Sequence, residues 1–281
     1  EPGAGYAMTI RIITDSSAGI PPHIAEELEI TVLDLHVTRE ESEDADSKKG
    51  ETQGTSGLSA LELAAAYARQ LERCHDEGIV VLHLSKRLSS TWSAAVSASA
   101  VFDDTVRVID TSAVGMSLGF AAIVAASFAR SGADLGGCVN AAKGALALSE
   151  TWLYLSQLDD IRKSGRISAT TAVLSAALLA TKPILRVHDG KLELAIKTRT
   201  QKKAFSKLVE HVVKRADGMP GYAAVQYAGD REGADVLKGM LEEALPEGST
   251  VGVYPLDEVL TVHTGEGALG LSVFFATPTV D

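Results

Sequence analysis

The sequence predicts an α/β protein, with a parallel-sheet domain first and a mixed α+β domain after it, and three observations carry that reading. Short aliphatic and β-branched runs at Ile10–Thr14, Ile79–Leu84 and Val106–Ile109 alternate with helical patterns, as parallel strands covered by crossover helices do. Each run ends in a turn rich in side-chain oxygens: Asp15-Ser16-Ser17, Ser85–Thr91 and Asp110-Thr111. Beyond Trp152 the pattern changes to a hairpin around Asp189-Gly190 and returning strands, with Asp-Gly a strong turn signal.

Taken in order, Ile10–Thr14 is the first strand. Pro21 and Pro22 open a helix through about Leu28, since the first helical turn has no use for proline's missing N–H. Ile30–Val37 is the next strand, and Thr38–Gly54, charged and nearly free of apolar residues, reads as a solvated excursion or lid. Ser59 caps a helix to about His75. Its expected apolar face is Leu61, Ala65, Tyr67, Ala68 and Leu71. Gly78 ends it, and the strand Ile79–Leu84, the Ser85–Thr91 turn and an alanine-rich helix follow. Val106–Ile109 is another strand, two helices fill about Met116–Ser149, and Trp152–Leu155 is extended.

A helix Ala169–Ala180 reads either as simply buried or as the wall of an apolar channel. Strands Lys182–Val187 and Leu192–Thr198 flank the hairpin turn. Helix Gln201–Arg215, strand Ala223–Tyr227, helix Arg231–Ala244 and strand Thr250–Tyr254 come next, and Leu271–Ala276 closes the chain. The expected domains are residues 8–156 and 157–281, with residues 1–7 a cloning remnant and Met8 the natural start.

Composition narrows the function. A net charge of −11 leaves no basic excess to displace counterions from nucleic acid. Cys74 and Cys138 form neither a disulfide framework nor a zinc box, so the expectation is two small helix hydrophobes in a reduced, cytoplasmic protein. The apolar stretch Met116–Phe128 is too short to span a bilayer. The seven histidines are scattered without a His-x-x-x-His pair, and neither a metal nor a cofactor is expected.

Three segments carry the candidate chemistry: Thr55-Ser56-Gly57-Leu58-Ser59, Ser85–Thr91, and His263-Thr264-Gly265-Glu266-Gly267-Ala268-Leu269-Gly270. Hydroxyls and backbone N–H groups at strand–helix turns suit the oxygens of a small acid. Thr55, Ser56, Ser89, Ser90, His263, Thr264 and Gly265, with Ser16 from the first turn, are therefore the site candidates. The glycines match Gly-x-Gly-x-x-Gly, but they precede a strand instead of a helix, which is not the dinucleotide-binding context. Ser89, His263 and Asp15 form an imaginable triad, yet Ser89 does not lie in Gly-x-Ser-x-Gly. Arg166, in Lys163–Ser168, reads as either a surface turn or an anion clamp. The basic run Lys197, Arg199, Lys202 and Lys203 is either a solvated helix start or a docking patch for an acidic partner.

These residues, in this order, resemble the DegV family of fatty-acid-binding proteins. The resemblance spans the chain from Met8: Ile13–Ser17, Thr55–Ser59 against the family's Thr-Ser-Gln-Pro-Ser, and Leu84–Thr91 against Leu-Ser-Ser-Gly-Leu-Ser-Gly-Thr. Gly165–Ser168, Lys182–Leu185, Thr198–Ala204 and His263–Gly270 complete it. It implies a two-domain, non-catalytic protein holding a long-chain fatty acid between or inside the domains. Thr55 and Ser89 would donate to the carboxylate, His263 and Thr264 would lie beside it, and Arg166 would support it. It also implies a fatty acid kinase as partner, docking around Arg199, Lys202 and Lys203. Gln-Pro is replaced here by Gly57-Leu58 and Ser-Gly by Lys86-Arg87, which should set bulk and positive charge at the pocket mouth. An acyl-ester hydrolase using Ser89 and His263, and a lipid-responsive regulatory protein, are the alternative readings.

Overall fold

A computed structural model describes residues 10–40, 52–167 and 180–275. The expected helix at 169–180 lies outside them except for its last residue, as do residues 1–7, Met8, the middle of the charged segment and Ala276.

The chain begins with β1 (Arg11–Asp15), α1 (Pro22–Glu27), β2 (Thr31–Leu33), β3 (His36–Glu40) and β4 (Thr52–Ser56). The expected strand at 30–37 is thus two strands, broken at Asp34-Leu35, where the Leu35 N–H donates to Ser16 Oγ at 3.0 Å. The expected solvated excursion carries paired strands at its two ends. Thr38–Glu40 and Thr52–Gly54 pair in an antiparallel ladder that sets Thr55 opposite Val37. Sparse apolar content hid this ribbon, because backbone pairing does not require it.

Next come α2 (Ala60–Arg73), β5 (Ile79–Leu82), α3 (Thr91–Ser99), β6 (Val106–Ile109), α4 (Met116–Arg130) and α5 (Leu135–Ala147). Ser59 caps α2 with a reciprocal box to Glu62, which satisfies two orphan backbone donors. The expected apolar face is displaced. Leu63, Ala66, Tyr67, Gln70 and Leu71 are buried, while Leu61 is 82% exposed. Gln70 made the true stripe look polar. Its Oε1 accepts from Arg11 Nε at 3.1 Å, so its burial leaves that group satisfied.

Strands β2-β1-β5-β6 form a wholly parallel sheet. Both β1 and β5 are buried along their whole length, as strands covered on both faces must be. The alanine-rich α4 packs on β1 and α5.

The second sheet contains β7 (Ser149–Tyr154), β8 (Ile184–His188), β9 (Lys191–Ile196), β10 (Tyr222–Tyr227), β11 (Thr250–Pro255) and β12 (Leu269–Phe274). Its order is β11-β10-β12-β7-β8-β9, with β10 and β11 parallel and the other pairs antiparallel. Strand β7, placed before the division at 156, is central to this second sheet. Among the described residues its connecting helices are α6 (Asp159–Ser164), α7 (Gln201–Ala216), α8 (Arg231–Ala244) and α9 (Glu258–Thr264). At six and seven residues, α6 and α9 are too short for periodicity to reveal. One face of the sheet packs Trp152, Tyr154 and Leu271 with Phe205, Leu208, Leu237 and Leu241 from α7 and α8. On the opposite face Thr151 is hydrogen-bonded to Ser117 of α4, the helix that also packs on β1.

Candidate functional site

Residues from both sheets enclose a cavity of about 280 Å³, close to the lower end of ligand pockets. Leu84, Leu88 and Val114 wall it from the side of the parallel sheet, and Leu153, Val187 and Leu192 from the mixed sheet. Thr55, Ser56, Ser89, Ser90, Arg166, His263 and Thr264 all line this same cavity. Segments more than two hundred residues apart in sequence therefore meet on one wall.

Local geometry explains the convergence. Thr55 is near the end of β4, and two residues later the chain passes the 89–91 turn at Gly57. A Cβ on Gly57 would lie 2.7 Å from Thr91 Oγ1, 2.9 Å from Ser90 Oγ and 3.3 Å from Ser89 Oγ. The missing side chain thus permits the approach. Leu58 N–H donates to Thr91 Oγ1 at 3.2 Å. Ser89 Oγ shares a 2.9 Å hydrogen bond with that hydroxyl and accepts from Thr91 N–H at 3.2 Å.

His263 is on the last turn of α9, not in a glycine turn as its neighbours suggested. Its Nε2 is hydrogen-bonded to Thr55 Oγ1 at 2.7 Å. Gly265 ends the helix at φ 77°, with the Asp160 carboxylate of α6 occupying the place of a side chain. Gly265 is therefore a helix exit and packing point and does not line the cavity.

Arg166 follows Gly165, which ends α6 in a left-handed conformation. Its Nε donates to Leu88 O at 3.4 Å and its Nη1 to Ser164 O at 2.7 Å. Because α6 packs on α9, Arg166 and His263 reach the same cavity. Burial, and then the charge of Arg166, push the His263 pKa down to about 4. The imidazole is accordingly neutral at pH 7, and Arg166 supplies positive charge.

Other candidates lie elsewhere. Ser16 Oγ donates to Asp257 Oδ2 at 3.4 Å while accepting from Leu35 N–H. It ties the β1 turn to the residue preceding α9 and is not on the cavity wall. Burial foremost raises the Asp257 pKa. Arg199, Lys202 and Lys203 are exposed, away from the cavity, at the start of α7. Lys86 and Arg87 do not line the cavity. Lys86 Nζ instead pairs with Asp110 Oδ2 at 2.8 Å and sits 4.9 Å from the Trp92 ring centre.

The imagined triad is not assembled. Both Asp15 oxygens are taken: Oδ1 accepts from the Ser17 N–H and hydroxyl, and Oδ2 from Leu84 N–H at 3.0 Å. Oδ2 also contacts His83 Nδ1 at 3.0 Å, in a pair with no solvent exposure. His83 was missed in sequence because it lies inside the apolar run Ile79–Leu84.

Gln226 and Thr151, which line the cavity from the mixed sheet, were missed as well. A glutamine within the apolar strand Tyr-Ala-Ala-Val-Gln-Tyr was the available signal. Among the described residues, no group of three His, Cys, Asp or Glu is placed to hold a metal, and no helix is long and apolar enough to cross a membrane.

Comparison with known proteins extends these findings. The DegV family model matches residues 9–276. A DegV domain-containing protein of Corynebacterium glutamicum is 53% identical over 270 residues, covering 96% of this chain and 95% of that protein. One from Mycobacterium tuberculosis is 34% identical over 275 residues, covering 95% and 97%. The crystal structure of a DegV family protein from C. glutamicum superposes with a TM-score of 0.89 at 53% identity, covering 95% of this chain and 98% of that one. A Thermus thermophilus DegV family protein, described for its fatty acid binding, gives 0.84 at 26% identity, covering 94% and 99%. Bacillus subtilis DegV, described as a fatty acid binding protein, gives 0.79 at 26%, covering 94% and 98%.

Proposed function

The chain belongs to the DegV family, and from that premise we propose that it carries one long-chain fatty acid in the cavity between its sheets. The observation that carries this reading is the joining of Thr55 Oγ1 to a neutral His263 beside Arg166, on the wall of a cavity whose lining also includes Leu84, Leu88, Val114, Leu153, Val187 and Leu192. If His263 Nε2–H donates to Thr55, the threonine O–H remains to donate to a carboxylate oxygen. Ser89 and Thr264 flank that position, and Arg166 supplies the opposite charge. Two of the five guanidinium N–H groups serve the Leu88 and Ser164 carbonyls, which leaves others for the ligand.

The energetics suit a carrier. Each methylene removed from water contributes roughly 0.8 kcal/mol, so a long acyl chain gains on the order of 10 kcal/mol. The carboxylate loses several kcal/mol on leaving water unless hydrogen-bonded, and the polar wall answers that loss. Such a ligand, headgroup held at the wall, would be presented to a fatty acid kinase for acyl-phosphate formation. Arg199, Lys202 and Lys203, exposed together at the start of α7, form the surface for that contact. The chain itself would then perform no chemistry. A hydrolase would need Ser89 bonded to His263, whereas here Ser89 bonds Thr91 and His263 bonds Thr55.

Organic extraction of freshly purified protein, followed by mass spectrometry, tests the reading. Near-equimolar fatty acid is expected, with retention weakened by Thr55→Ala and Ser89→Ala. Protein that holds no fatty acid and takes none up when offered it defeats the proposal. Turnover of acyl esters abolished by Ser89→Ala would replace it with the hydrolase reading.

A further inference from the structure

Among the described residues, three glycines line the cavity: Gly57, Gly115 and Gly270. The fold accounts for two of them. A side chain at Gly57 would run into the hydroxyls of the 89–91 turn. Gly115, which precedes α4, has a φ of 71°, a conformation that favours glycine. Neither reason holds at Gly270. It lies inside β12 between Leu269 and Leu271, with the ordinary negative φ of a strand. A Cβ on Gly270 would find its nearest neighbours at Gln226 Cβ, 3.8 Å away, and at Gln226 O and Leu256 Cδ1, both 3.9 Å away. Those are comfortable van der Waals separations. Glycine in a strand interior costs stability, having more backbone entropy to lose and no side chain to pack. Position 270 therefore forgoes what an alanine would supply without strain.

Strand pairing shows which way the missing side chain faces. Gly270 is opposite Gln226 of β10 and Leu153 of β7, and partners in adjacent strands project to the same side. Leu153 shares an apolar cluster with Leu88, Val187, Leu192 and Leu256, all of which line the cavity. Leu269 and Leu271 face the other way, into the core beneath α7 and α8. The bare position thus belongs to the cavity's face of the sheet. A glycine in a strand that neither backbone nor neighbours require marks a place where a ligand approaches the backbone closely.

Resting on the fatty-acid reading above, we infer that Gly270 is a specificity-determining residue. The acyl chain crosses the mixed sheet over its bare backbone, beside Leu256, and the missing side chain sets how much chain the cavity admits. The stability forgone in β12 is the counterpart of that space.

The test compares Gly270→Ala and Gly270→Val with wild type for binding of straight-chain saturated acids from octanoic to octadecanoic, with melting curves on each protein. Both variants should melt at or above the wild-type temperature, since each replaces a strand glycine. Wild-type affinity should rise along the series as methylenes are buried. In Gly270→Val the rise should stop at an intermediate length, leaving octadecanoic acid bound about tenfold or more weakly than by wild type, the scale of overpacking. Gly270→Ala should fall between the two, and the shortest acids should bind all three proteins alike. If both variants follow the wild-type series, the inference falls while the carrier reading stands. Weakening by the same factor at every length, or melting well below wild type in both variants, assigns the glycine to the headgroup site or to the fold and also overturns it. If wild type binds none of these acids, both readings fall together.

Discussion

Two histidines at the ends of secondary-structure elements show how the same chemistry serves two purposes. His83, beyond β5, pairs with Asp15 in a region without solvent exposure, and every Asp15 oxygen is already accepting. His263, ending α9, is half-buried, bonds a single hydroxyl and faces a cavity with Arg166 nearby. The first network is saturated and holds the parallel sheet's carboxyl ends together. The second has spare donors aimed where a ligand fits. Spare hydrogen-bonding capacity at a cavity wall, more than residue type, separates a site from a strut.

The sharpest way to break this contrast is Asp15→Ala. It strands the Ser17 and Leu84 N–H groups and His83 together. Since one abandoned buried donor costs about 1–3 kcal/mol, we expect a loss of roughly 3–5 kcal/mol in urea unfolding. A loss below 1 kcal/mol would show that the network is not structural.

Arg166→Ala should act in the opposite sense. Fatty acid affinity should drop by about 2–3 kcal/mol in titration calorimetry, the scale of hydrogen bonds to charged groups, with little change in melting temperature. The His263 pKa, followed by NMR, should rise from about 4 because one of its two depressing causes is gone. Unchanged affinity would remove Arg166 from the site.

Smaller again are Thr55→Val and Ser89→Ala, each expected to weaken binding by about 1 kcal/mol, the net value of one neutral hydrogen bond. Thr55→Val should exceed Ser89→Ala, because it also deprives His263 of its partner. Equal or reversed effects in a direct binding assay would shift the carboxylate toward the 89–91 turn.

His263 also makes stability depend on pH. His263 has a folded pKa of about 4 against 6.5 for the free group, so the unfolded chain binds more protons between those values. Stability contributed by the neutral ring is therefore present above pH 6.5 and lost as pH falls toward 4. The fall in melting temperature over this window should be shallower in His263→Gln. Parallel curves for the two proteins would contradict the depressed pKa.

How much was legible follows from the range of each signal. Local signals worked: Ser59 capped α2, Asp189-Gly190 turned the β8–β9 hairpin, and apolar runs marked β1, β5 and β6. They failed where burial contradicted polarity, as with Gln70 and Gln226, and where elements were too short to show a period, as with α6 and α9.

The sequence by itself determined the α/β class, the alternation of strands with oxygen-rich turns, and the residues Thr55, Ser89, Arg166 and His263 as candidates, since strand runs, caps and turns depend on neighbours within a few positions. Tertiary structure decided that these four share one cavity wall, that Ser16 and Gly265 serve the frame around it, and that Asp15 belongs to His83. Hydrogen bonds spanning 208 and 68 residues depend on how the sheets and helices pack, and no local pattern in a single chain encodes that distance.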